Sequence, residues 1–457
     1  MKDMTSGSPM KLIIRFLIPL FLGNLFQQFY NMVDSIIVGK YVGVNALAGV
    51  GATGCVYFLI IGFITGISSG YGVRIGLSFG SGDLSEMRRN IINTIYQAAL
   101  VILVLTPLTM ILCKPILRWM DTPAEIYQEA YHYLIVILAG LVCTMMYNLA
   151  SAILRAVGDS RTPLLTLVGA ALLNIALDLI FVLVFHMGTF GVGLATVIAQ
   201  GLSGLVSMFY IFQHYEDLRI RKGEFAFSGR RNLVLLRIGL PMALQFSITA
   251  IGTIILQVAV NGLGAVSVAS MTAGGKISMM LTVALDSLGM TMATYCSQNM
   301  GAGKYQRIRT GVKQASILQL VICGICLVIL WSLGRKLALL FIDEGEAAIM
   351  TQIMTFLKFN VYTYFLLGFL FVIRNSIQGM GYSFAAMFAG VSELAARVLV
   401  VLFLAKPLGF TGLCLANPVA WLFADGFLLA FWLHIRKKVL LREDVPRNSG
   451  TIENNVI

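Results

Sequence analysis

The sequence predicts an all-α polytopic membrane protein, with twelve transmembrane helices in two six-helix lobes related by an internal repeat. Three observations lead there. The 457 residues are 58% hydrophobic and only 12% charged, with a mean hydropathy of +0.85, whereas soluble domains have roughly 45–50% apolar and about 25% charged residues. The apolar residues gather into windows longer than the ~20 residues a helix needs to cross a hydrocarbon core. The first half of the chain is echoed in the second at a nearly constant offset.

Charge and turn clusters separate the windows into spans at about 12–38, 45–79, 90–113, 129–155, 162–186, 191–214, 232–260, 265–298, 311–333, 349–377, 383–404 and 410–434. Lys and Arg in the short loops set the orientation. With the N-terminus inside, the outer loops hold only Lys40, Lys114, Arg118, Arg335, Lys336 and Lys406. Both termini are therefore expected in the cytoplasm, with the chain in the plasma or inner membrane. The net charge of +12 is mostly this positive-inside bias, and no nucleic-acid partner is expected. The charged stretch 215–231 reads as a cytoplasmic linker. It divides an N-lobe (1–214) from a C-lobe (232–434), and 435–457 reads as a cytoplasmic tail, polar and disordered after Leu440.

The repeat is readable residue by residue. Arg15 and Pro19 recur as Arg237 and Pro241. From Gly43 to Arg88 an ungapped offset of 221 pairs Gly43 with Gly264, Gly54 with Gly275, Gly80 with Gly301, Gly82 with Gly303 and Arg88 with Arg309. Four glycine matches exceed the roughly 0.5 expected by chance at about 10% Gly. Later, Gly158 and Ser160 recur as Gly381 and Ser383. Six spans per half keep both halves in one orientation, an arrangement characteristic of secondary transporters.

Other classes fall on the residues they need. No G-x-x-x-x-G-K-[ST] is present, so this chain is not expected to hydrolyse ATP. The four His are isolated, and no nucleophile–base arrangement stands out, so no enzyme and no cofactor is expected. Cys323 and Cys326 have redox spacing but sit in an apolar run and read as packing. The first apolar run carries Asn24, Gln27, Gln28, Asn31 and Asp34, which marks a span rather than a cleavable leader.

Ionisable residues at membrane depth default to function or pairing. Asn24, Gln27, Asn31 and Asp34 share one face of the first span, and Asn174 and Asp178 share one face of the fifth. At 1.5 Å per residue, Asp178 lies ~24 Å up the fifth span and Thr196 ~8 Å down the sixth. Asp34, Asn174, Asp178 and Thr196 therefore fall at similar depth in the outer half. Such an oxygen-rich set suits a hard cation, with Asp34 and Asp178 as possible Na+ ligands. Two carboxylates close together also suit a proton. A structural hydrogen-bonded cluster is the alternative. In the second half, Glu393 and Arg397 are four apart and expected to pair, and Asp286 and Arg374 join them in a polar network. Asp425 stands alone and unassigned. Gly62-x-x-x-Gly66-x-x-x-Gly70 reads as a close packing face.

Several stretches together carry a family resemblance. They are Phe26-Gln-Gln-Phe-Tyr-Asn-Met-Val-Asp34-Ser, Gly43-Val-Asn-Ala-Leu-Ala48, Gly158-Asp-Ser-Arg-Thr-Pro163 with Asn174-x-x-x-Asp178, Gln298-Asn-Met-Gly301-Ala-Gly303 and Gln378-Gly-Met-Gly381. Over about 12–435 the chain resembles the multidrug and toxic compound extrusion (MATE) family. The resemblance implies two six-helix lobes with substrate between them, and antiport of organic cations against Na+ or H+ by alternating access. It implies a first-lobe cation site on Asp34, Asn174, Asp178 and Thr196. Another branch of that family uses a glutamate in the seventh helix and an aspartate in the tenth, and this sequence has neither in place. Gln27, Gln28, Tyr30 and Asn31 are the substrate-contact candidates. The expected partners are cationic amphipathic small molecules and the bilayer, with the chain acting as a monomer. A flippase for lipid-linked sugars is the alternative function. It would need a basic cleft, for which Lys358 and Arg397 are the only pointers.

Overall fold

The computed structural model describes residues 3–343, 345–442 and 444. Regular structure among the described residues is entirely helical. Among the described residues ten helices are long and apolar enough to cross a membrane, and two further bent pairs, each taken as one span, bring the number to twelve. They follow the expected order. The third span runs Leu84–Trp119, longer than expected at both ends, and accommodates Pro107 and Pro115. The eleventh runs as Ser383–Cys414, past the expected break. Gly409 after Pro407 is non-helical (φ 55°, ψ −132°) and the helix then resumes, so the twelfth starts only at Ala416. A proline removes a ladder hydrogen bond and a glycine takes the left-handed φ, which together make a kink rather than a loop. Of the expected tail, a π turn at Arg436–Leu440 is described. Of the stretch after Leu440 expected to be disordered, Leu441, Arg442 and Asp444 are described, and the rest lies outside the described residues.

The bends repeat with the sequence. Ala124–Ala139 and Leu141–Ala156 meet at 52° across Gly140, and Ala347–Tyr362 and Tyr364–Gly379 meet at 48° across Thr363. The paired glycines have a physical reason. Gly43 and Gly264 (φ 128° and 92°), Gly82 and Gly303 (80° and 68°), and Gly158 and Gly381 (82° and 95°) all take positive φ at the turns between spans. A side chain is rarely tolerated in that conformation, so glycine recurs in both halves.

The chain forms two compact units, one of Ile18–Ala243 and one of Met4–Leu17 with Leu244 onward. The boundaries differ from a division at the linker: they fall inside the first and seventh helices, close to Pro19 and Pro241. The first half of the seventh helix belongs to the first unit because of the glycine face on Gly54–Ser81. A Cβ on Gly66 would lie 2.6 Å from the Met242 carbonyl oxygen, and one on Gly70 would collide with the Gly239 backbone. Leu235 and Ala243 accordingly join the core of that unit with Ile64, Ile67 and Tyr71. Stretch 215–231 is also anchored. The buried Arg88 guanidinium grips the Glu224 carboxylate through Nε (2.7 Å) and Nη2 (2.8 Å), Arg231 pairs with Glu86 at 2.8 Å, and the Ser228 N–H donates to Asn93 Oδ1 at 2.9 Å. The Arg88 hydrogen bonds hold the Glu224 carboxyl down, to about 2. Cys323 and Cys326 are buried in Tyr305–Ala338, where their thiols reach Gln319 and the Leu281 carbonyl.

Candidate functional site

The part of helix Pro9–Ile37 that lies in the first unit carries Asp34 near its end and gives way to a π turn, Val38–Val42. Helix Arg161–Leu179 carries Asn174 and Asp178 and gives way to a second π turn, Ile180–Val184. The two π turns pack against each other. Single π turns inside membrane helices accompany functional sites, and here each one follows a carboxylate within four residues. Around them Val38, Ala46, Ile137, Val182 and Val192 form a small apolar core.

Within this apolar setting the Asp34 and Asp178 carboxyl groups come into hydrogen-bonding contact with each other. Asp178 is fully buried and Asn174 nearly so. The Asn174 amide is satisfied at both ends when its nitrogen donates to Asp178 Oδ2 at 3.0 Å and its oxygen accepts from the Thr196 N–H at 3.1 Å. The Thr196 hydroxyl donates to the Val192 carbonyl at 3.1 Å and hydrogen bonds with Tyr30. One oxygen of each acid, Asp34 Oδ1 and Asp178 Oδ1, is buried without a partner. Two carboxyl groups in contact need either a shared proton or a cation between them, because buried like charges are otherwise too costly. Among the described residues no three His, Cys, Asp or Glu side chains converge as a metal cluster. The ligand set is thus two acids with a nearby hydroxyl oxygen, braced by the Asn174 amide, which suits a proton or a hard monovalent cation better than a transition metal.

All four residues expected at the cation site are therefore brought together. Of the substrate-contact candidates, Tyr30 turns to Thr196 and joins this cluster, while Gln27 and Asn31 are exposed and Gln28 is half-buried. Three members were missed. The buried Tyr133 faces Asp34, Asp178 and Tyr30, and Tyr57 hydrogen bonds with Gln200. Gln200 in turn accepts from the Thr144 hydroxyl at 2.6 Å. Gln200 was findable, since it lies four residues past Thr196 on the same helical face. Tyr57 and Tyr133 sit in apolar windows where tyrosine reads as packing.

The second unit also gathers its polar residues. Arg374 Nη1 donates to Glu393 Oε1 at 3.1 Å and Arg397 Nη2 to Glu393 Oε2 at 3.5 Å. Asp286 faces Arg374. Asp425 lies beside Glu393 and Arg374, with both carboxylate oxygens buried and unpartnered. Gln378 donates to Gln245. Gly252 makes room for the arginine, because a Cβ there would stand 2.8 Å from Arg397 Nη1.

Comparison with known proteins fits this arrangement. The family model MatE matches residues 19–180 and again 241–403, so the two matches start at Pro19 and Pro241. The chain is 27% identical over 390 residues to "Probable multidrug resistance protein YpnP" of Bacillus subtilis strain 168, covering 83% of this chain and 84% of that protein. It is 24% identical over 447 residues to "Probable multidrug resistance protein NorM" of Thermotoga maritima, covering 95% of both. Its fold superimposes with a TM-score of 0.90, at 22% identity and over 96% of this chain and 98% of the other, on a structure described as the outward-facing conformation of a multidrug resistance MATE family transporter of the MOP superfamily.

Proposed function

The chain belongs to the MatE family, and on that premise we propose that it is a secondary active exporter of organic cations that moves them in exchange for Na+ or H+. The observation that carries this reading is the contacting pair Asp34 and Asp178, each with a buried oxygen lacking a partner. Asp34 lies on the same helix as Gln27, Gln28 and Asn31, whose exposed or half-buried amides are the proposed substrate contacts.

The coupling ion enters from outside and binds between Asp34 and Asp178, with Asn174 holding Asp178 through its amide N–H and Thr196 supplying a hydroxyl oxygen. Binding replaces repulsion by attraction between the first and fifth helices. That difference in free energy shifts the population between two forms of the unit, as coupling requires. In the ion-bound form the first helix holds a cationic substrate less tightly, and the substrate leaves outward. The ion then leaves inward and the cycle resets by alternating access. One-for-one exchange of singly charged cations moves no net charge, so the ion's concentration gradient sets the substrate gradient, and each further ion carried inward down 100 mV adds about 2.3 kcal/mol, or nearly fiftyfold. The protein works in the cell membrane as a monomer with both termini in the cytoplasm, since each chain holds the whole site and the Lys/Arg bias of its loops favours that orientation.

The test is efflux of a fluorescent organic cation from proteoliposomes under an imposed Na+ or H+ gradient, with wild type and Asp34→Asn side by side. Gradient-driven efflux by the wild type, abolished in the variant, supports the reading, and the effective gradient names the ion. Absence of cation efflux under both gradients overturns it in favour of a lipid-linked flippase. Efflux that survives in Asp34→Asn keeps an exporter but moves coupling away from the first unit.

A further inference from the structure

The repeat pairs Arg88 with Arg309, and their surroundings differ. Arg88 is clasped by Glu224 from the stretch between the two halves. Arg309 has no acidic partner among the described residues and opens onto a groove of about 600 Å³ in the second unit. Lys313, one helical turn along, lines the same groove, and Arg436 closes it from the end of the twelfth span. Among the described residues no acid lines it. Arg309 Nε is buried and without a partner. The inner wall is apolar, made by Phe369, Ile373, Leu429, Trp432 and Leu433.

The groove lies at one membrane end, where the ninth span begins and the tenth and twelfth end. We propose that it is a binding site for an anionic phospholipid. The headgroup phosphate sits among Arg309, Lys313 and Arg436, and the acyl chains run along Leu429, Leu433 and Phe369. The charge is right: basic pockets between spans at the cytoplasmic face take acidic headgroups. The wall is right as well, since tryptophan marks the interface and the leucines beyond it are half-exposed to the lipid side. The described acid at this end, Asp444, is engaged by the backbone, accepting from the Gln306 N–H at 3.0 Å.

Trp432 makes the site directly readable. The full chain is placed in phosphatidylcholine vesicles containing a fixed fraction of either dibrominated phosphatidylglycerol or dibrominated phosphatidylcholine. Bromine quenches tryptophan only in contact, and subtraction of Trp432→Phe isolates the Trp432 signal. We expect the acidic lipid to quench Trp432 severalfold more effectively than the neutral one. Lys313→Gln, at an exposed position, should cut that preference about fivefold, the worth of one basic residue near an anionic headgroup. Quenching of the highly exposed Trp119 and Trp331 should not discriminate between the lipids. Equal quenching of Trp432 by both lipids overturns the proposal, as does a preference untouched by Lys313→Gln or one erased by millimolar inorganic phosphate. The readout is independent of transport and so stands apart from the proposed antiport.

Discussion

The two units share a repeated scaffold and fill it with opposite electrostatics. The first gathers two acids, Asp34 and Asp178, with no base among the residues they contact. The second gathers Asp286, Glu393 and Asp425 around Arg374 and Arg397. At the offset that pairs Gly158 with Gly381, Asn174 corresponds to Arg397 and Asp178 to Val401. The position that ties an acid in the first unit thus carries a fixed guanidinium in the second. A cluster without a base has to take its positive charge from solution. A cluster with two arginines for its three acids has most of it permanently, and this contrast is what supports placing the proposed ion coupling in the first unit.

That contrast breaks most sharply under Asp178→Asn. It should lower gradient-driven efflux at least a hundredfold, read in proteoliposomes, while the folded yield stays near that of wild type because a buried acid has been replaced by a neutral amide of the same shape. Glu393→Gln should behave the other way. It removes the carboxylate that hydrogen bonds both Arg374 and Arg397, and breaking a buried pair costs about 3–5 kcal/mol, which should show as a lowered Tm by tryptophan fluorescence. A Glu393→Gln protein of normal Tm that has lost ion dependence would reverse the assignment of the two units.

Smaller effects sharpen the comparison elsewhere. Glu224→Gln removes the charged partner of Arg88 and should cost about 2 kcal/mol of stability. It should also change the acid limb. The Glu224 carboxyl titrates at about 2, below the ~4.3 of a free glutamate, so its contribution is fully present above about pH 4.3 and is lost as pH falls toward 2. Wild type should therefore lose more stability across that window than Glu224→Gln does. Gly70→Ala forces a methyl onto the Gly239 backbone and should cost about 1–3 kcal/mol as overpacking, whereas Gly51→Ala, with open space at that position, should be near neutral by the same thermal assay.

Much of this was legible in the sequence. Twelve spans were readable because hydrocarbon admits only apolar helix. The repeat was readable because Gly43, Gly82 and Gly158 and their mates sit at positive φ, where the backbone dictates the residue. Asp34, Asn174, Asp178 and Thr196 were placed together because depth along a helix is set by rise per residue. What escaped depends on contacts across the fold. Nothing local says that Glu224 reaches back to Arg88, or that the first half of the seventh helix is captured by Gly66 and Gly70 of the second. Tyr57 and Tyr133 enter the site through tertiary packing. Asp425, solitary in the sequence, proves to be a neighbour of Glu393 and Arg374 only once the tenth, eleventh and twelfth spans are packed.

The central claim is that the first-unit acid pair exchanges a cation for the substrate. The most direct measurement is the reverse of efflux: an organic-cation gradient is imposed across proteoliposomes, with no ion gradient, and movement of 22Na+ and of protons is followed in the opposite direction. Wild type should drive one of the two ions, Asp34→Asn and Asp178→Asn should drive neither, and Asp286→Asn should still drive it. Ion movement that persists in both first-unit variants, or that vanishes only in Asp286→Asn, would contradict the account.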